Sequence, residues 1–217
     1  MKGKLIVLEG VDASGKHTQA LLLKKNLDKE GYGTEIIAFP TYDTSMGSLV
    51  KKYLHGEFGD LESLPPEIPA MLYAADRMQH KQAIQNRLSA GKILIADRYV
   101  QSNLYQAAKI QGEQSQGAFI QWLKQLEASL PAADQVIFFN VPTSHARKLM
   151  ELRGRKPDLH EQDEAFLERV RQLYLKEAKR LNWIVIDGFQ GNALRSKEDI
   201  AEDVLRVVKP VLTNKKT

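Results

Sequence analysis

The segment Gly10-Val11-Asp12-Ala13-Ser14-Gly15-Lys16-His17-Thr18 holds the residues whose types and spacing point most directly to chemistry. Two glycines separated by four residues, the second followed by lysine, suit a loop whose backbone N–H groups curl around a phosphate. Lys16 would reach the transferred phosphoryl group, and the N-terminus of a following helix adds partial positive charge. The next residue departs from the usual pattern: His17 stands where a Ser or Thr hydroxyl would ligate magnesium. Magnesium is a hard cation that prefers oxygen, so imidazole is a poor substitute. Thr18 carries a hydroxyl and is a possible metal contact, but it points about 100° further round a helix. Elsewhere, Asp97-Arg98-Tyr99 offers a guanidinium fork suited to a phosphate and a carboxylate that could position magnesium through water. Tyr73 and Arg77, four residues apart, share a helix face and could stack on a pyrimidine while donating to its carbonyl edge. Arg147, Lys148, Arg153, Arg155 and Lys156 place five cations within ten residues. Each feature also has a plain reading: a turn, a strand-end ion pair, a core tyrosine, a solvated charged face.

These residues need elements to hold them. Five short apolar runs stand out: Leu5–Leu8, Glu35–Phe39, Ile93–Ala96, Val136–Phe139 and Trp183–Ile186. Near-continuous β-branched and aromatic residues, without alternation, predict strands buried on both faces of a parallel sheet. Helical patterns separate them. Phe166, Val170, Leu173, Tyr174 and Leu181 form one stripe, and Leu64 to Ala90 reads as one long helix with Pro65, Pro66 and Pro69 at its start. Strands alternating with helices predict an α/β domain with ligands at the carboxyl ends of the strands. The phosphate loop falls there, directly after the first run.

Composition sets outer bounds. With 217 residues the expectation is one domain, and a chain of this length buries enough surface to need no staple. The absence of cysteine excludes a disulfide framework, a thiolate metal site and a Cys nucleophile. A formal net charge of +4 is too small to signal a nucleic-acid partner, yet it suits a protein handling small anions. The four apolar residues after Lys4 are too few for a signal peptide or a membrane span, so a cytoplasmic location is expected. No repeat is visible, and Thr213 to Thr217 reads as a frayed tail.

Taken in order, the motifs resemble those of thymidylate kinases, over Lys4 to about Val208. The resemblance is carried by Leu8-Glu9-Gly10-Val11-Asp12 with Gly15-Lys16, by Phe39-Pro40, and by Leu72-Tyr73-Ala74-Ala75-Asp76-Arg77. It continues in Asp97-Arg98-Tyr99-Val100-Gln101-Ser102-Asn103 and in Arg153-Gly154 ahead of Asp158-Leu159-His160-Glu161. It implies a phosphate-loop, nucleoside-monophosphate-kinase-like fold: an α/β domain with a five-stranded parallel sheet flanked by helices, and a short lid at about 147–160. It implies phosphoryl transfer from ATP to dTMP, with magnesium, in a homodimer. By the same resemblance Asp12 faces the deoxyribose 3′-hydroxyl and Tyr73 stacks on thymine, which Arg77 reads through a base oxygen. Phe39, Arg98, Ser102, Asn103, Tyr105 and Gln106 line the acceptor side.

The family draws a catalytic arginine from the loop or the lid. With Ala13 and Ser14 in the loop, the lid must supply it, Arg153 ahead of Arg155. Two further departures concern the acceptor. Tyr42 occupies the place of an arginine that many relatives use for the acceptor phosphate, and Tyr105-Gln106 replaces a common Ala-Tyr pair. In relatives that tyrosine helps to exclude a ribose 2′-hydroxyl, so its one-place shift bears on the choice between deoxy and ribo acceptors. The competing expectations are a kinase for dUMP, UMP or CMP, and a nucleotide-binding module that has lost catalysis. No Asn-Lys-x-Asp guanine-reading motif supports a GTPase.

Overall fold

Along β1 (Lys4–Glu9), Leu5 and Val7 enter one apolar cluster and Ile6 and Leu8 another, and all four are fully buried. Side chains alternate across a strand, so a strand buried at every position must be covered on both faces. The computed structural model describes residues 3–61, 63–146, 158–191 and 193–213. It places β1 at the centre of a five-stranded sheet with β2 (Thr34–Ala38), β3 (Ile93–Asp97), β4 (Gln135–Asn140) and β5 (Ile184–Asp187). The order is β2-β3-β1-β4-β5 and every pairing is parallel. All five apolar runs are strands, displaced by no more than one residue at either end.

Register decides where chemistry can occur. Leu8 and Ala38 both pair with Asp97, and Glu9 pairs with Phe138, so the carboxyl ends of four strands finish together. α1 (Lys16–Lys29) packs Leu23 and Leu27 against the Ile6/Leu8 face, and a later helix, Lys197–Thr213, adds Val204 and Val208. The opposite face carries Leu5, Val7, Leu94 and Ile84.

The stretch 64–90 differs from expectation. It forms two helices, α3 (Glu67–Gln79) and α4 (Lys81–Ser89), following α2 (Ser45–Leu54). The break is at His80, whose N–H turns to Arg77 O at 3.1 Å and whose Nε2 lies 2.9 Å from Thr41 Oγ1. A tightened turn tied to a distant side chain ends one helix and starts the next. Leu64 to Pro66 lie ahead of the first helix.

A 3₁₀ turn at Val100–Asn103 leads into α5 (Leu104–Ala107) and then α6 (Glu113–Leu126). Next comes α7 (Glu164–Leu181), capped by Asp163, whose carboxylate accepts from Phe166 N at 2.8 Å. Its stripe buries Phe166, Val170, Leu173 and Tyr174, but Leu181, at the last turn, is 40% exposed and falls outside the core. A short antiparallel pair, β6 (Phe189–Gln190) and β7 (Ala193–Leu194), precedes α8 (Lys197–Thr213). The cations expected in a lid, Arg147, Lys148, Arg153, Arg155 and Lys156, lie outside the described residues, as do 214–217 of the expected tail.

Candidate active site

The phosphate loop follows β1 directly, and glycine is required in it for two separate reasons. A Cβ on Gly10 would lie 2.5 Å from Ser14 Oγ, so only hydrogen fits. Gly15 has φ +87, in the left-handed region that glycine enters without penalty, and it turns the chain into α1. Val11, Ala13 and Ser14 are buried under the loop. Lys16 folds back over it, donating from Nζ to Gly10 O (3.0 Å), Val11 O (2.8 Å) and Ser14 Oγ (3.2 Å). Burial, then Arg98, lowers the Lys16 amine to about 8, against the opposing pull of Asp12 and Asp97. An anion seated in the loop would stabilise the charged amine again.

Asp12 joins this loop to the end of β3. Arg98 has φ +70, a left-handed conformation that costs roughly 1–3 kcal/mol and turns its side chain back toward the loop. Its Nη2 donates to Asp12 Oδ1 at 2.7 Å and to the Tyr105 hydroxyl oxygen at 3.4 Å, while that hydroxyl donates to Asp12 Oδ2 at 2.9 Å. Burial raises the Asp12 carboxyl, but Arg98 and Lys16 outweigh it and hold the group well below the usual carboxylate range. The one-place shift to Tyr105 therefore does not remove a hydroxyl from the site. It lands on Asp12.

Beneath the guanidinium sits Glu9, wholly buried at the end of β1. Its carboxylate accepts from Tyr99 N (2.8 Å), Ser102 Oγ (2.8 Å) and Tyr174 OH (2.8 Å). Burial raises its carboxyl, and Arg98 opposes the rise. Ser102 thus links Glu9 to Arg98, whose Nη1 reaches its Oγ at 3.5 Å.

Around this cluster lies a cleft bordered by Pro40, Tyr42, Tyr73, Asp158 and His160. His160 stacks on Tyr105 with ring centroids 5.2 Å apart, and its Nε2 is 2.8 Å from Tyr53 OH. Burial, then Lys109, lowers the imidazole to about 3, so it is neutral. Asp158 accepts from the N–H groups of His160 (3.0 Å) and Glu161 (3.1 Å), and burial, then Asp12, raises its carboxyl to about 7. The open volume is about 50 Å³, less than a nucleotide needs, so side chains bordering the cleft must shift for one to enter. A larger groove of about 1100 Å³ is bordered by Lys109, Phe166, Glu168 and Arg169.

Several expected acceptor residues lie behind the cleft rather than on it. Arg77 is fully buried, with Nε donating to Glu127 Oε1 at 2.5 Å and Nη2 without a partner among the described residues. Asn103 Nδ2 donates to the other oxygen of Glu127 at 2.8 Å and to Ala70 O at 3.3 Å. Gln106 is buried, and its amide approaches Tyr53 without reaching hydrogen-bond geometry. Phe39 is buried between His80 and Tyr99, leaving its neighbour Pro40 on the cleft. Glu9, Glu127 and Tyr53 join this network without having been expected there. A charged residue closing an apolar strand was a signal for Glu9; Glu127 and Tyr53 carried none.

Beside the loop, Asp97 offers the carboxylate a divalent cation needs, but the neighbouring side chain is His17, with Nδ1 3.4 Å from Asp97 Oδ2. Thr18 is exposed on α1. This donor set fits magnesium through the Asp97 oxygen alone, since the usual hydroxyl is replaced by nitrogen.

A phosphate loop on a parallel sheet, with a carboxylate–guanidinium pocket opening beside it, defines an α/β protein built to seat two ligands next to each other. Comparison with known proteins narrows this class. The family model described as thymidylate kinase matches residues 8–203. The probable thymidylate kinase of Pyrococcus horikoshii is 36% identical over 212 residues, covering 96% of this chain and 97% of that one. The thymidylate kinase of Homo sapiens is 32% identical over 206 residues, covering 94% and 88%. A solved thymidylate kinase structure from Candida albicans has the same fold, with a TM-score of 0.73 at 23% identity, covering 96% of this chain and 92% of that one. The chain belongs to the thymidylate kinase family.

Proposed function

We propose that the protein transfers the terminal phosphoryl group of ATP to dTMP, giving dTDP and ADP. The observation that carries this reading is the Asp12–Arg98–Tyr105 cluster, tied to the phosphate loop on one side and open to the cleft on the other. ATP phosphates occupy the loop from Gly10 to Thr18, with Lys16 leaving the loop carbonyls for the transferred group. Arg98 holds the acceptor phosphate, and Asp12 accepts from the sugar 3′-hydroxyl. Tyr73 borders the cleft and stacks on the base. The unpartnered Nη2 of Arg77 donates to a base carbonyl once the base displaces the side chains that close the cleft.

Phosphoryl transfer depends on alignment and on cations near the developing charge rather than on a base, because the acceptor oxygen is already an anion. A lid arginine, Arg153 or else Arg155, supplies the cation that Ala13 and Ser14 cannot. Magnesium would be held by the phosphates of ATP beside Asp97, where it would neutralise phosphate charge. The protein acts as a homodimer and in the cytoplasm. No described helix is long and apolar enough to cross a membrane.

A coupled assay with ATP and a panel of monophosphates tests the reading. Turnover greatest on dTMP is expected. A peak on UMP, dUMP or CMP moves the assignment to another pyrimidine, and nucleotide binding without turnover sinks the catalytic claim.

A further inference from the structure

His17 opens α1 beside Lys16, and its side chain is 70% exposed. Its ring is nevertheless directed: Nδ1 lies 3.4 Å from Oδ2 of Asp97, whose own side chain is only 14% exposed at the end of β3. Among the described residues neither side chain makes any other hydrogen bond or ion pair. The contact thus joins a nitrogen donor and an oxygen donor on the two elements that flank the phosphate loop.

That separation is the spacing of adjacent ligands on one ion. With bonds of about 2.0–2.2 Å, neighbouring ligands in a tetrahedral or octahedral shell sit roughly 3.0–3.5 Å apart. We propose that His17 Nδ1 and Asp97 Oδ2 form a two-donor seat for a first-row divalent ion that accepts nitrogen, such as Co²⁺, completed by phosphate oxygens of bound ATP and by water. An all-oxygen pair would favour magnesium; an imidazole adds nothing for magnesium and adds affinity for the later first-row ions. Lys16 and Arg98 are the cations nearby, and Asp12 and Glu9 the anions. A divalent ion therefore enters only together with the phosphates, whose charge it offsets. With magnesium, the pair stays outside the coordination sphere and Asp97 acts through water; with Co²⁺, both donors bind directly.

This inference rests on reading the loop as an ATP site, and the experiment separates the two. Binding of a non-hydrolysable ATP analogue is measured first, by calorimetry without added metal; its absence overturns both. Co²⁺ is then titrated into the complex, followed by its visible absorption and by hyperfine-shifted imidazole proton signals. Wild type is expected to show a shifted imidazole N–H proton and to bind Co²⁺ roughly tenfold or more tightly than His17→Ala, the lower end of what losing a metal-site partner costs. His17→Ser, which returns an oxygen, is expected to lose the shifted signal and to favour Mg²⁺ over Co²⁺ more than wild type does. The exposure of His17 keeps both variants folded. Analogue binding with equal Co²⁺ affinity in wild type and His17→Ala, and no imidazole signal, overturns the seat while leaving the ATP site standing.

Discussion

Arg77 illustrates how a residue can be legible in type and misread in placement. A buried guanidinium persists only where its charge is met, and Glu127 meets it from 50 residues away with both side chains almost inaccessible. Removing one member of such a pair leaves an uncompensated buried charge, which costs about 3–5 kcal/mol. Arg77→Ala should therefore lower stability by that order as well as weaken dTMP by about 1.5–3 kcal/mol for a lost charged hydrogen bond. Combining it with Glu127→Gln separates the two effects: denaturation midpoints should largely recover while dTMP affinity, by calorimetry, should not. Wild-type affinity in the double variant would show that Arg77 reads no base. The same contrast explains what was readable. Gly10, Asp12, Gly15 and Lys16 act through short spacing, which a sequence displays. Glu9 acts through Tyr174, 165 residues on, and only folding brings them together. Gln106 and Asn103 carried acceptor roles by position in a motif, yet their burial directs them to the wall behind the cleft.

At the level of elements, the strands were legible because burial on both faces forces continuous apolar runs, a purely local constraint. The break at His80 was not, because its cause is Thr41, 39 residues earlier. The end of the expected lid, at 158–160, is where element and chemistry meet. Asp158 has a folded value near 7 against an ordinary 3.8, so between those limits the folded protein holds a proton that the unfolded chain releases. Its contribution is present at low pH and lost as pH rises through about 7. His160, lowered to about 3, has the opposite sign, losing stability as pH falls below its ordinary 6.5. Comparing Asp158→Asn with wild type cancels the histidine. The variant should match wild type at pH 4 and exceed it by roughly 1–4 kcal/mol at pH 8. A constant difference across that range in thermal melts would mean that Asp158 does not titrate there. For the lid itself, Arg153→Ala should lower kcat more than it raises either KM, by roughly three orders of magnitude for an arginine acting on transition-state charge. A loss under tenfold there, with the large loss in Arg155→Ala, moves the role two residues along.

The whole molecule adds a constraint that no single site supplies, because α3 borders the cleft with Tyr73 on one face and exposes apolar side chains on the other. Ile68 and Met71, three residues apart and so on one face, are 40% and 42% exposed. Tyr73, on the cleft, is two positions beyond Met71 and so about 200° around the helix. Met46 on α2 is also exposed, and α2 packs against α3. Clustered exposed apolar side chains of this kind mark surfaces that another molecule covers. A second copy of the chain covering this face would clamp α3 from behind and hold Tyr73 at the cleft. Wild type should therefore sediment as a dimer at micromolar concentration, and Ile68→Glu with Met71→Glu should sediment as a monomer. Since α1 packs on the Ile6/Leu8 face of the sheet while Met78 of α3 packs on the Leu5/Val7 face, ATP-analogue affinity should hold within about twofold. The KM for dTMP should rise several-fold as α3 loses its support. A wild-type monomer in sedimentation would remove the dimer reading. A monomeric variant with an unchanged dTMP KM would keep the dimer but detach it from the acceptor site.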